Sequence, residues 1–169
     1  AKDFDGMFAF VLIDTKNEIA YFGRDFFGEK PLYYGWVTNA SSSAPAFVFG
    51  SELKAICAYK GFTNPVSREA LALYMRFTYV PAPYSIYQNI FKLEPGCMLS
   101  ISASNSALQQ HSKLFDATHV PSVPTAPLRP PALQGGLRMH RWWSLAPAVE
   151  LGTQNQMISE EVALQTLEQ

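Results

Sequence analysis

"GRDFFGEKPLYYG", residues 23–35, sets two opposite charges, Arg24 and Asp25, against Phe26 and Phe27. A turn glycine, Gly28, follows, then Glu29-Lys30-Pro31 and two tyrosines. A plain strand end needs no Arg-Asp pair, and a plain loop needs no such density of aromatic rings. The stretch therefore reads as a site or as a structural joint. Arg24-Asp25 could be a catalytic pair, an ion pair, or a backbone anchor that holds a tight loop. The local residues favour a structural role.

Outward from this stretch the chain alternates short strands with tight turns. "GMFAFVLID" (6–14) is apolar almost throughout and fits a strand buried on both faces. "EIAYFGRD" (18–25) is close enough to form a hairpin with it, and Asp14 before "TKN" reads as a turn residue. "KPLYYGWV" (30–37) is a third strand, with Pro31 near its start, where a missing N–H is tolerated. "FVFG" (47–50) is a fourth. Four consecutive strands with short connections predict an antiparallel sheet.

Helices follow. Ser51 is placed to cap a helix over 51–60, and Ser67 a second one, in which Leu71, Tyr74, Met75 and Phe77 fall near one face. Residues 79–96 are stiffened by Pro81 and Pro83 and close on a Pro95-Gly96 turn. "CMLSIS" (97–102) returns to strand chemistry, as does "MHRWWSL" (139–145), where His140 opens either a strand end or a packing corner. Between them the chain is rich in Ser, Ala, Gln and Pro. It lacks an amphipathic period and is expected to be a flexible insertion. "SEEVALQTLEQ" (159–169) opens another capped helix.

Composition narrows the function classes. Of 169 residues, 48% are hydrophobic and 16% charged, so a core can be built. A net charge of −1 gives no basic field for a nucleic-acid backbone. The two cysteines, Cys57 and Cys97, cannot make a disulfide framework and lie in no metal-ligand spacing. Cys57 sits well inside its helix and Cys97 in a strand, and both read as core residues. The three histidines have no metal spacing, and no phosphate-binding glycine loop is present, so no metal site is expected. No apolar run is long enough to span a membrane, and a reduced, cytoplasmic setting is expected. The chain starts at Ala1 on the approach to a strand and stops at Gln169 inside a helical pattern, so an excerpt of a longer protein is expected.

The order of the pieces carries a resemblance. "FDGMFAFVLID", "GRDFFGEKPLYY", "FVFGSELKAI", "YMRFTYVPAPYSIYQNIFKLEPGCML" and "RWWSL" together resemble glutamine-dependent asparagine synthetases. Fragments such as "DGMFAF" are shared more widely among class II glutamine amidotransferases, whereas the combination with "SELKA" and the "YVPAP" segment is specific to the asparagine synthetase group. The resemblance implies an α+β fold, part of an N-terminal-nucleophile hydrolase-type αββα sandwich of antiparallel sheets, followed by the lead-in to an α/β synthetase domain. On that basis residues 1–102 are the later half of the glutaminase domain and 103–138 the insertion. Residues 139–145 are a returning strand, and 146–169 the linker and first helix of the synthetase domain.

It further implies that the full-length protein releases ammonia from glutamine and uses it, with ATP and Mg, to convert aspartate to asparagine, with AMP, pyrophosphate and glutamate as the other products. The family's nucleophilic cysteine and its ATP loop match nothing in residues 1–169, so neither a catalytic nor a substrate-binding residue is assigned here. ATP and Mg are expected to bind outside this chain. The resemblance places Met7, Glu29 and Lys30 beside the ammonia passage at the domain interface, and gives Arg24, Asp25 and Gly28 a structural loop. Small-molecule substrates are the expected partners, with a homodimer compatible, and neither nucleic acid nor membrane is expected. Two other readings stay open: a non-catalytic amidotransferase-like scaffold, and a relative that amidates another carboxylate.

Overall fold

The computed structural model describes residues 4, 6–37, 45–102 and 137–154. In chain order these form β1 (Ala9–Asp14), β2 (Ile19–Arg24), β3 (Tyr33–Val37), β4 (Ala46–Gly50), α1 (Leu53–Cys57), α2 (Arg68–Phe77), β5 (Ile90–Lys92), β6 (Cys97–Ser102), β7 (Leu137–Arg141) and α3 (Leu145–Gln154). The fold is α+β with antiparallel sheets, as expected.

The first four strands do not lie in one sheet, which corrects the expectation. They form two hairpins in two sheets, a four-stranded one ordered β1-β2-β6-β7 and a three-stranded one ordered β4-β3-β5. The break falls at residues 25–32, between β2 and β3, within the stretch that opens the sequence reading. Hairpin turns set neighbours within a sheet. A longer, internally bonded loop can carry the chain over to the facing sheet instead.

The sheets face each other across a core of Phe22, Leu32, Tyr34, Trp36, Leu93, Cys97, Leu99, Ile101 and Leu137. The two-residue period decides this. Cys97, Leu99 and Ile101 alternate with half-exposed neighbours along β6, so one face is dry. Tyr34 and Trp36 point the same way from β3, while Val37 joins Ile56 and Ile90 in a second cluster on the far face, covered by α1. Phe22 is fully buried and meets Phe47 and Phe49 edge to face across the sandwich, at 5.8 and 5.3 Å between ring centroids.

β1 is not buried on both faces. Leu12 and Ile13 are each 60% exposed, because β1 is the edge strand of its sheet. Asp14 holds the β1–β2 turn as expected, accepting the N–H groups of Lys16 and Asn17, both at 3.0 Å. Ser51 does not cap α1. Glu52 stands at that position without a side-chain cap, and the helix is only five residues long. Ser67 does cap α2, accepting the Ala70 N–H at 3.2 Å. β6 and β7 pair from Cys97↔Arg141 to Ile101↔Leu137, so residues 103–136 connect two adjacent strands. The predicted insertion, 103–138, overruns this connection by two residues, because Leu137 and Arg138 belong to β7; the rest of it, like the predicted 159–169 helix, lies outside the described residues. The returning strand begins at Leu137, two residues early, and gives way after Arg141 to the bend that carries Trp142 and Trp143.

Candidate functional site: the Arg24–Asp25 joint

Arg24 ends β2 and is 6% exposed; Asp25 follows at 2%. Their side chains engage backbone rather than each other. Asp25 accepts N–H groups from Phe27 (3.2 Å) and Glu29 (2.9 Å) on Oδ1 and from Lys30 (3.0 Å) on Oδ2. Arg24 donates through Nε to the Lys30 carbonyl at 2.8 Å, and through its terminal nitrogens to the carbonyls of Leu93 and Gly28. One residue satisfies the donors of the loop and its neighbour the acceptors, which buried backbone demands.

The electrostatics follow. Burial pushes the Asp25 carboxyl up, but the N–H groups of Lys30, Glu29 and Gly28, with the Arg24 charge behind them, outweigh it and hold the carboxyl below its ordinary value. Burial lowers the Arg24 value against the opposing pull of Asp25. A carboxylate so occupied is a poor general base, and an arginine bonded to three carbonyls has little left for a substrate. Of the three readings of the pair, the geometry selects the backbone anchor.

The backbone completes the joint. Asp25 N–H donates to Phe8 O and its carbonyl accepts from Gly96 N–H, both at 2.9 Å. The Gly96 carbonyl in turn accepts from Trp142 N–H (2.9 Å) and Trp143 N–H (3.2 Å). Four segments distant in sequence, around Phe8, Asp25, Gly96 and Trp142, are thus joined in one chain of backbone hydrogen bonds. Gly28 has φ +69°, and a Cβ there would lie 2.8 Å from the Arg24 Cζ and from Pro95 Cγ. The structure therefore requires glycine at 28, as the turn reading expects. Gly96 is equally constrained, at φ +60° with a would-be Cβ 2.4 Å from Trp143 O.

The aromatic residues of the stretch find their purpose here. Phe26 meets Trp142 and Trp143 edge to face at 4.6 and 5.4 Å, Phe27 meets Trp143 at 5.2 Å, and Phe8 stacks on Trp142 at 6.3 Å. His140 lies near the end of β7, paired with Met98, and the packing corner is made by Trp142 and Trp143 just beyond it. Sequence reading misses this partnership between "DFFG" and "RWW", and misses Leu93, because both lie far along the chain. The one local signal is the adjacent pair of tryptophans after a strand.

Met7, Glu29 and Lys30 are all exposed, Met7 by 58%. The Phe8–Asp25 bond brings the Met7-Phe8 segment against the 25–30 loop. The Lys30 peptide is gripped on both sides, N–H by Asp25 and C=O by Arg24, while its side chain is left outside. Cys97 is buried, which pushes its thiol up to about 11 and removes it as a nucleophile. Cys57 shares a hydrogen bond with Tyr87. Among the described residues no group of His, Cys, Asp and Glu is arranged to hold a metal ion, and no helix is long and apolar enough to cross a membrane.

Comparison with known proteins places this geometry. A profile described as a glutamine amidotransferase domain matches residues 1–112. A protein of Methanocaldococcus jannaschii with the provisional name asparagine synthetase [glutamine-hydrolyzing] 2 is 42% identical over 95 residues, 55% of this chain and 17% of that protein. Asparagine synthetase [glutamine-hydrolyzing] 1 of Bacillus subtilis is 34% identical over 101 residues, 60% of this chain and 15% of its own length. Asparagine synthetase [glutamine-hydrolyzing] 3 of the same organism is 31% identical over 123 residues, 68% and 19%. The chain spans less than a fifth of the length of each of these relatives. A matched profile over residues 1–112 and the antiparallel sheets lead to one conclusion: the chain belongs to the glutamine amidotransferase domain family.

Proposed function

We propose that this chain is the later part of the glutaminase domain of an asparagine synthetase that makes asparagine from aspartate with ATP and with ammonia taken from glutamine. The observation that carries the reading is the glutamine amidotransferase match over residues 1–112 together with relatives named as glutamine-hydrolysing asparagine synthetases. On this reading 1–102 belong to the glutaminase domain, the insertion shortens to 103–136, β7 is the returning strand, and the residues after it lead into the synthetase domain.

ATP and magnesium are proposed to be held by the synthetase portion of the full-length protein. What this chain supplies is the frame. Arg24, Asp25 and Gly28 fix the loop that carries Glu29 and Lys30, and the Asp25–Phe8 bond ties that loop to the strand entry that follows Met7. Placed at the boundary with the synthetase domain, Met7 gives an apolar wall that keeps water from ammonia in transit. Lys30 pairs with a carboxylate or carbonyl across the boundary. With the Lys30 backbone already held from both sides, binding has only the side chain left to order.

The test uses the full-length protein. Lys30→Ala should leave glutamine hydrolysis largely intact and raise the ratio of glutamate to asparagine formed, while synthesis from free ammonia persists. A ratio equal to that of the wild type would make Lys30 a solvent-facing turn lysine.

A further inference from the structure

We infer that the Leu71–Tyr74–Met75 face of α2, continued by Tyr79, is a docking surface for the polypeptide that glutamine-hydrolysing relatives carry outside the matched length, their synthetase portion. The inference rests on the function proposed above and adds to it an interface that does not involve Met7, Glu29 or Lys30.

The first observation is that, among the described residues, α2 lacks a packing partner for most of its apolar residues. It has ten residues, and only Ala70 among them is buried. A helix of that length is marginal in water by itself and normally owes its stability to a covered face. Yet Leu71 is 45% exposed, Tyr74 49%, Met75 76% and Tyr79 60%. Leu71, Tyr74 and Met75 stand three and four residues apart, which puts them on one side of the helix.

The second is that the helix is nonetheless fixed at both ends. Ser67 caps it, and Ser67 N–H donates to Ile86 O at 2.8 Å. At the other end Thr78 takes a left-handed conformation, φ 64°, with its N–H on Tyr74 O at 2.7 Å. Lys92 then ties down the following loop. Its N–H donates to Pro83 O at 2.9 Å and its ammonium to Val80 O at 2.9 Å, with that ammonium 5.5 Å from the Tyr33 ring centroid. A bare apolar face on a rigidly held helix is preorganised, so binding orders little that is not already ordered.

The occupant follows from size. A stable contact with a separate molecule buries roughly 800 Å² a side, about 20–30 residues. Four side chains on one short helix and its exit fall well below that. A tethered partner needs far less, because the link raises its effective concentration. The relatives are more than five times as long as the stretch this chain matches, at 15–19% of their length covered. That additional polypeptide is the tethered partner, and it must present an apolar patch that accepts a flexible methionine.

The experiment places the photoreactive residue p-benzoylphenylalanine at position 75 of the full-length protein, and, as a control, at Lys16 in the exposed β1–β2 turn. Irradiation should cross-link position 75 to peptides outside residues 1–169 within the same molecule. Cross-links to a second copy, read from mixed heavy- and light-labelled protein, would overturn the inference. So would a yield no greater than that from position 16. Met75→Glu in the same protein should raise the ratio of glutamate to asparagine, and an unchanged ratio counts against the interface. A wild-type protein that makes asparagine from neither glutamine nor ammonia refutes the proposed function by itself; the cross-link alone then decides whether the face docks.

Discussion

At the residue scale the molecule turns on Asp25. Its carboxylate holds three loop N–H groups and its peptide links Phe8 to Gly96. Asp25→Ala should cost on the order of 3 kcal/mol, since it leaves buried donors unmet, measured as a drop in the urea midpoint. pH dependence separates charge from shape. The folded Asp25 carboxyl lies below its ordinary value of 3.8. Its contribution is therefore complete above that value and is lost as pH falls through it toward the folded value. The difference in Tm between wild type and Asp25→Asn should be largest near neutral pH and shrink below about pH 4. A difference constant from pH 7 to pH 3 would show that the charge is not what holds the loop. Gly28→Ala should cost roughly 2 kcal/mol, from a left-handed backbone and a Cβ driven against Arg24. Unaltered stability of Gly28→Ala would mean the loop relaxes freely.

At the element scale, local pattern carries some pieces and not others. β6 was legible because Cys97, Leu99 and Ile101 alternate with half-exposed neighbours. The Ser67 cap of α2 was legible because a side-chain oxygen before a helical pattern meets an orphan N–H. β5 was not, because Ile90–Lys92 is too short to show a period, and it exists only by pairing with β3. β1 read as buried because an apolar run says nothing of whether a strand lies at an edge. The loop itself was legible as structural from Arg24, Asp25 and Gly28, but its anchors Leu93, Gly96 and Trp142 come from far along the chain. The Trp142–Trp143 corner gives a prediction at this scale. Trp142→Ala removes rings packed on Phe8 and Phe26 and should destabilise by about 2–4 kcal/mol, with faster hydrogen exchange at the 25–30 amides than at β3. Equal acceleration everywhere would indicate that the corner supports the whole sandwich rather than the joint.

At the scale of the whole molecule the two sheets and the joint between them form a frame held by backbone hydrogen bonds. Cys97 is buried with a raised thiol value, and the paired charges of the joint are committed to backbone. The 169-residue chain incubated alone with glutamine should release no glutamate above background, and release would reveal a nucleophile within it. The central claim is that this frame serves a synthetase that moves nitrogen from glutamine to aspartate. It is tested most directly by supplying the full-length protein with glutamine labelled with ¹⁵N at its amide, aspartate, ATP and magnesium. Mass spectrometry of the products then follows the label. The account predicts ¹⁵N in the side-chain amide of asparagine. Labelled nitrogen that appears only as free ammonium, or on an acceptor other than aspartate, would contradict it.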